Sequence, residues 1–188
     1  MDFQTTVTII TSVLLAIAGF LFAYFNNLSL EKKKNRLERV NKQLNDFYGP
    51  LLAVVQSNQL AWDNFIAKYD NNPDFYKKKE NPAPQQVAEF HHWMTTVFMP
   101  NNERLYEIII NQTSLLEEDR IPKVLLKLVA HVLEFRIIMD ERKDEFGEVT
   151  ETRSKYPAKE LLEYCEKKFK TLKTEQSKLI KLTKKRKK

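Results

Sequence analysis

Residues Thr5–Phe25 read TTVTIITSVLLAIAGFLFAYF, twenty-one positions without a charge. An α-helix of that length covers roughly 31 Å, close to the roughly 30 Å hydrocarbon core of a bilayer. In lipid, only a helix lets a single segment satisfy its own backbone hydrogen bonds. Thr5, Val7, Ile10, Leu14, Gly19, Phe22 and Phe25 are therefore read as parts of a membrane span. The hydroxyls of Thr5, Thr6, Thr8, Thr11 and Ser12 can bond back to carbonyls one turn earlier. Tyr24 and Phe25 stand where an interfacial aromatic belt belongs. A cleaved signal peptide would need a basic start and a small-residue cleavage site. Met1–Gln4 carries Asp2 and no cation, and Phe22, Tyr24 and Phe25 occupy the cleavage region.

The cationic flank sets the orientation. Lys32, Lys33, Lys34, Arg36, Arg39 and Lys42 follow the span, against Glu31, Glu38 and Asp46. Cations next to a span are retained on the cytoplasmic side. The expectation is a single-pass protein of the inner (plasma) membrane, N-terminus outside and C-terminal domain in the cytoplasm. The sequons at Asn27 and Asn111 would be silent there.

A single cysteine, Cys165, excludes an intramolecular disulfide. The three glycines, Gly19, Gly49 and Gly147, are too few and too scattered for a phosphate-binding loop or a dinucleotide fingerprint. Lys178–Lys188 holds seven cations and no acid, against a formal net charge of +6, so the rest of the chain carries −1.

Apolar residues recur at helical spacing throughout, with no period-2 segment. The expected fold is all-α: one N-terminal transmembrane helix and a cytoplasmic helical bundle of about five helices. Residues 1–28 form the anchor, 29–48 a basic stalk, 49–183 the bundle and 184–188 a disordered tail. Leu37, Val40, Leu44, Phe47, Leu51, Val54, Asn58, Ala61 and Phe65 form a heptad-like seam within Leu30–Tyr69. The seam suits either a coiled coil or the inward stripe of a bundle helix. Pro50 should kink or break that helix, and Pro100 should end the next, Gln85–Met99. Asn101 or Asn102 should cap the helix after it. Asp70–Gln86, with Asn71-Asn72-Pro73 and Pro82-Ala83-Pro84, reads as a solvated loop. Pro122–Phe146 is apolar almost all round, apart from Lys127, His131 and Glu134, and suits a buried central helix that Gly147 stops. Pro157–Leu182 is an amphipathic last helix running into Lys184, Lys185, Arg186, Lys187 and Lys188.

No catalytic set, cofactor site or metal site emerges. His91 and His92 point about 100° apart on a helix, and no HExxH pattern or cysteine pair accompanies them. With His131 and Glu134 they form a candidate polar site, for which the simpler reading is core or surface polarity. Cys165 reads as a small buried residue. Glu117, Glu118 and Asp119 read as favourable charge ahead of a helix. The basic tail suits anionic lipid headgroups or nucleic-acid phosphates, without the interleaved aromatics of a single-strand binder.

Three segments carry a resemblance: DFYGPLLA at 46–53, WMTTVFMP at 93–100 and IPKVLLKLVAHV at 121–132. They resemble a group of small bacterial single-span proteins with a cytoplasmic helical domain. The layout also resembles membrane effectors of bacterial antiviral systems, such as the pore-forming companion of type VI CRISPR RNases with its HEPN-like domain. HEPN ribonucleases use an arginine followed after four to six residues by histidine. No arginine stands at that spacing before His91, His92 or His131. The expectation is a non-enzymatic, membrane-anchored module acting by self-association or partner binding, with a defence role implied by the resemblance. The bilayer and a second copy of the chain are the expected partners. A tethered HEPN-like nuclease or hydrolase and a tail-driven nucleic-acid binder are the alternatives.

Overall fold

The computed structural model describes residues 2–77, 80, 82–141 and 155–185. Every regular element among them is helical. The chain divides into two compact units, Met1–Asn41 with Thr174–Lys188, and Lys42–Lys173.

Helix α1, Phe3–Lys42, belongs largely to the first unit. It is the one described helix long and apolar enough to cross a membrane. Val7, Ile10, Leu14, Phe22 and Phe25 are all exposed, Phe22 at 77%. A helix apolar on every side needs an apolar surrounding. The back-bonding expected of the hydroxyls is present at Thr8 to Gln4 (2.9 Å), Thr11 to Val7 (2.8 Å) and Ser12 to Thr8 (2.8 Å).

The stalk region of α1 is not bare. The last part of helix α6, Ala158–Lys185, lies along it. Arg36 donates two hydrogen bonds to the Glu175 carboxylate, Nε at 2.6 Å and Nη2 at 2.8 Å, and Gln176 Nε2 donates to Asn41 Oδ1 at 2.8 Å. Ser29, Leu30, Lys33, Leu37 and Val40 are shielded on α1, as are Glu175, Gln176, Leu179 and Thr183 on α6. Both sets follow the three-or-four spacing of a packed helix face.

In the second unit, neither proline ends its helix. A π-turn, Gln43–Tyr48, precedes helix α2, Gly49–Ile66, and a second, Met94–Phe98, joins helix α3, Pro84–Trp93, to helix α4, Met99–Asn111. Gly49 N–H bonds Leu44 O, and Met99 N–H bonds Met94 O, five residues back in each case. One extra residue per turn widens the helix just before Pro50 and Pro100, so the ring fits without breaking the rod. Phe3–Tyr69 thus runs as one helical rod of 67 residues. Its seam is the inward stripe of that rod: Val40, Leu44, Phe47, Leu51, Val54, Asn58 and Phe65 are buried.

The rod ends where Asp70 and Asn71 take left-handed backbone angles, φ 54° and 57°. The described part of the segment beyond, up to Lys77, is not a solvated linker. Phe75 is buried, Tyr69 stacks on it at 3.8 Å, and Tyr76 stacks on Phe90 at 3.7 Å. Aromatic burial outweighs the turn-forming residues around it. Asn101 and Asn102 do not cap α4; their amides turn inward to Asn58.

Helix α5, Lys123–Glu141, is two-sided rather than central. Val124, Leu125, Leu128, His131 and Val132 are buried, while Leu126 (49%), Leu133 (42%) and Ile137 (59%) are exposed. Gly147 lies outside the described residues. Arg136 ties α5 to α4 by donating to Glu103, with its guanidinium 4.3 Å from the Tyr106 ring centre. The first half of α6 runs antiparallel to α2: Gln56 pairs with Glu166, and Phe169 lies by Gly49.

Candidate functional site

Aromatic and amide side chains of the second unit enclose a cleft of about 460 Å³. The rod supplies Val55, Asn58, Gln59 and Trp62; α3 and its π-turn supply Phe90, Met94 and Phe98. The anchored segment after the rod adds Pro73, Asp74, Tyr76 and Lys77, and α5 adds His131 and Phe135. Lys155, Tyr156 and Ala158, at the start of α6, close the wall. That volume and mixture suit a small organic group held by apolar rings and fixed by a few polar atoms.

The aromatic wall is held from behind. Trp62 and Phe98 meet edge to face at 5.7 Å. Phe90 and Phe98 belong to one buried cluster with Phe65 and Phe75, against which Trp62 and Trp93 pack.

The polar wall centres on Asn58. Its Nδ2 donates to Asn102 Oδ1 at 3.3 Å, and its Oδ1 accepts from Asn101 Nδ2 at 2.7 Å. His131 is 6% exposed, and its ring meets that of Tyr156 edge-on at 5.5 Å. The Tyr156 hydroxyl is buried and makes no hydrogen bond of good geometry among the described residues. Burial pushes this phenol up to about 12; Asn58 acts to lower it and Cys165 to raise it. At neutral pH the cleft therefore presents a neutral O–H and amides, with Asp74, Lys77 and Lys155 on its wall.

Of the histidines expected to share a polar site, only His131 reaches this wall. His91 is half-buried, and exposed His92 has Thr96 Oγ1 at 3.4 Å from its Nδ1. Glu134, half-buried on α5, is not part of the wall. No group of three or more His, Cys, Asp or Glu could hold a metal ion among the described residues. Lys32, Lys34 and Arg39 are exposed on α1, Lys33 is half-shielded, and Arg36 is paired with Glu175. Helix α6 takes in Lys184 and Lys185, while Arg186, Lys187 and Lys188 lie outside the described residues. Asn58, Asn102 and Tyr156 escape a reading for catalytic motifs. The one available signal is Asn58, an amide inside an otherwise apolar seam.

Glu117 and Glu118 do not open a helix; they clamp a connection. Glu118 accepts from Lys168 at 2.7 Å and from Tyr164 and Tyr48 at 3.3 and 3.4 Å. Glu117 accepts from Lys168 at 3.1 Å, and Gln43 Nε2 donates to Leu115 O at 2.8 Å. Burial raises both phenols, so Tyr48 and Tyr164 stay protonated as donors.

Cys165 is buried, and burial pushes its thiol up to about 12 from an ordinary value of 9.0. At pH 8 it should react with a thiol reagent at least about 100-fold slower in the native chain than after unfolding. Folding also makes Tyr156 hold its proton to higher pH. Above pH 9 the unfolded chain binds fewer protons than the folded one, so stability falls from there towards pH 12. Melting followed by circular dichroism at stepped alkaline pH checks the direction.

The chain matches no protein-family model, no curated protein and no solved structure.

Proposed function

We propose that the chain is a single-span, membrane-anchored binding module whose helical unit faces the cytoplasm and takes a ring-bearing small ligand in the cleft. The carrying observation is the union of Trp62, Tyr76, Phe90 and Phe98 with Asn58, His131 and Tyr156 around one cavity. Aromatic faces grip a planar group, and the buried Tyr156 hydroxyl with the Asn58 amide beside it offers polar atoms that fix its orientation. The anchor is supported by the exposed apolar surface of α1 and the cations that follow it.

The test is an aromatic fragment panel read by saturation-transfer NMR on the full chain in phosphatidylcholine nanodiscs. Mutually competing fragments are expected, with affinity at least threefold weaker in Tyr156→Phe at unchanged melting temperature. Fragment binding identical in Trp62→Ala and Tyr156→Phe would dismiss the cleft.

A second reading, self-association, is favoured by one feature. Leu126, Ala130, Leu133 and Ile137 form an exposed stripe at steps of four, three and four on α5. Such a stripe is the form a helix–helix contact takes. Mass measurement in detergent should give more than one copy, reverting to one in Leu133→Glu.

A further inference from the structure

The cations of α6 and those of α1 belong to different ends of the sequence, but one compact unit holds both. Past Gln176 the last turns of α6 stay with residues 1–41, and the shielding of Leu179 and Thr183 on α6 beside Leu30 and Lys33 on α1 carries the antiparallel course on towards the apolar part of α1. Partial shielding on α1 extends back only to Ser29, the level at which the end of α6 stops covering it.

The register fixes a height. Glu175 is paired with Arg36. Ten residues separate Glu175 from Lys185, and ten separate Arg36 from Asn26, each about 15 Å of helix. By that pair Lys185 is level with Asn26, and by the Gln176–Asn41 bond it is level with Lys32, so the end of α6 lies within about two turns of Phe25, where the uncharged stretch ends. The headgroup layer adds roughly 5–8 Å beyond each side of the hydrocarbon. Lys178 and Lys181 are exposed on α6, and Lys32, Lys34 and Arg39 on α1. Leu172, Glu175, Gln176 and Leu179 point the other way, so cations occupy the outer arc of α6.

We propose that the last turns of α6 and the start of the stalk form one cationic collar around the emerging span, which binds the phosphates of anionic phospholipid headgroups. This rests on α1 being a membrane span. The collar makes membrane attachment two-pointed: the span fixes the chain in the bilayer, and the lipid charge fixes α6 against α1. Each cation at an anionic leaflet is attracted only within about a Debye length, roughly 8 Å at physiological salt, and the register brings the backbone of the last turn of α6 within that distance of the headgroup layer.

The experiment uses the full chain in vesicles of phosphatidylcholine alone or with about a third phosphatidylglycerol, and reads lysine acetylation by mass spectrometry. Lys181, Lys184 and Lys185 should be acetylated at least threefold slower in the anionic vesicles. High salt should abolish the difference, and exposed Lys159 should not change. Equal rates in the two vesicles would overturn the collar. Equal protection by inorganic phosphate, or by mixed-sequence RNA added to phosphatidylcholine vesicles, would reassign these cations and also overturn it. A chain that failed to float with either vesicle at high salt would remove the span itself, a result distinct from a floating chain with unprotected lysines.

Discussion

Replacing Gly49 with alanine is expected to destabilise the helical unit by about 1–3 kcal/mol. In an ordinary helix the same change stabilises, because alanine loses less backbone freedom on folding. The sign inverts here because the Gly49 N–H reaches back five residues to the Leu44 carbonyl. That bond places the carbonyl where a Cβ would sit, an overlap with backbone that no side-chain rotation relieves. The Phe169 ring, 3.7 Å from the same point, limits any outward shift of the rod. Thermal melts by circular dichroism should show a fall of about 3–10 °C for a chain of this size. Gly19→Ala is the matched control, because nothing lies within 4 Å of its Cβ position. A higher melting temperature for Gly49→Ala would mean that the π-turn is not the conformation in solution.

Phe65→Ala should cost about 3–5 kcal/mol, a large share of the stability of any single domain. Phe65 is the hub of the aromatic cluster. Its ring stacks on Trp93 at 4.9 Å and meets Phe75, Tyr69 and Trp62 at 5.5, 5.7 and 6.1 Å. Removing it leaves a cavity whose walls are rigid rings, which collapse poorly. The segment after the rod loses its anchor as well, so Asn72, Phe75 and Lys77, whose amides are bonded in turns, should exchange hydrogen faster than the rest. A loss below about 1 kcal/mol, or faster exchange spread evenly over the unit, would contradict the role of Phe65 as hub.

Local chemistry made several features of the chain legible in advance. The uncharged run, the cations after it and the helical period of Leu37–Phe65 are properties of consecutive residues, and the helices follow from them. The inward stripe of the rod was readable because three-and-four spacing fixes which residues share a face. The fate of the prolines was not. A π-turn inserts one residue per turn, and its cost is offset only when the packed faces before and after it stay in register. The rest required tertiary structure because it joins distant residues. Asn58 meets Asn101 and Asn102 across more than forty positions, and Tyr156 reaches His131 across twenty-five. Arg36 meets Glu175 across 139. Sequence alone determined that this chain is helical and begins with an apolar rod, because propensity and periodicity act within a few turns. Only the packing decided that an aromatic cleft exists and that α6 returns along α1, because contacts between distant helices depend on which faces remain to be buried once every helix has formed.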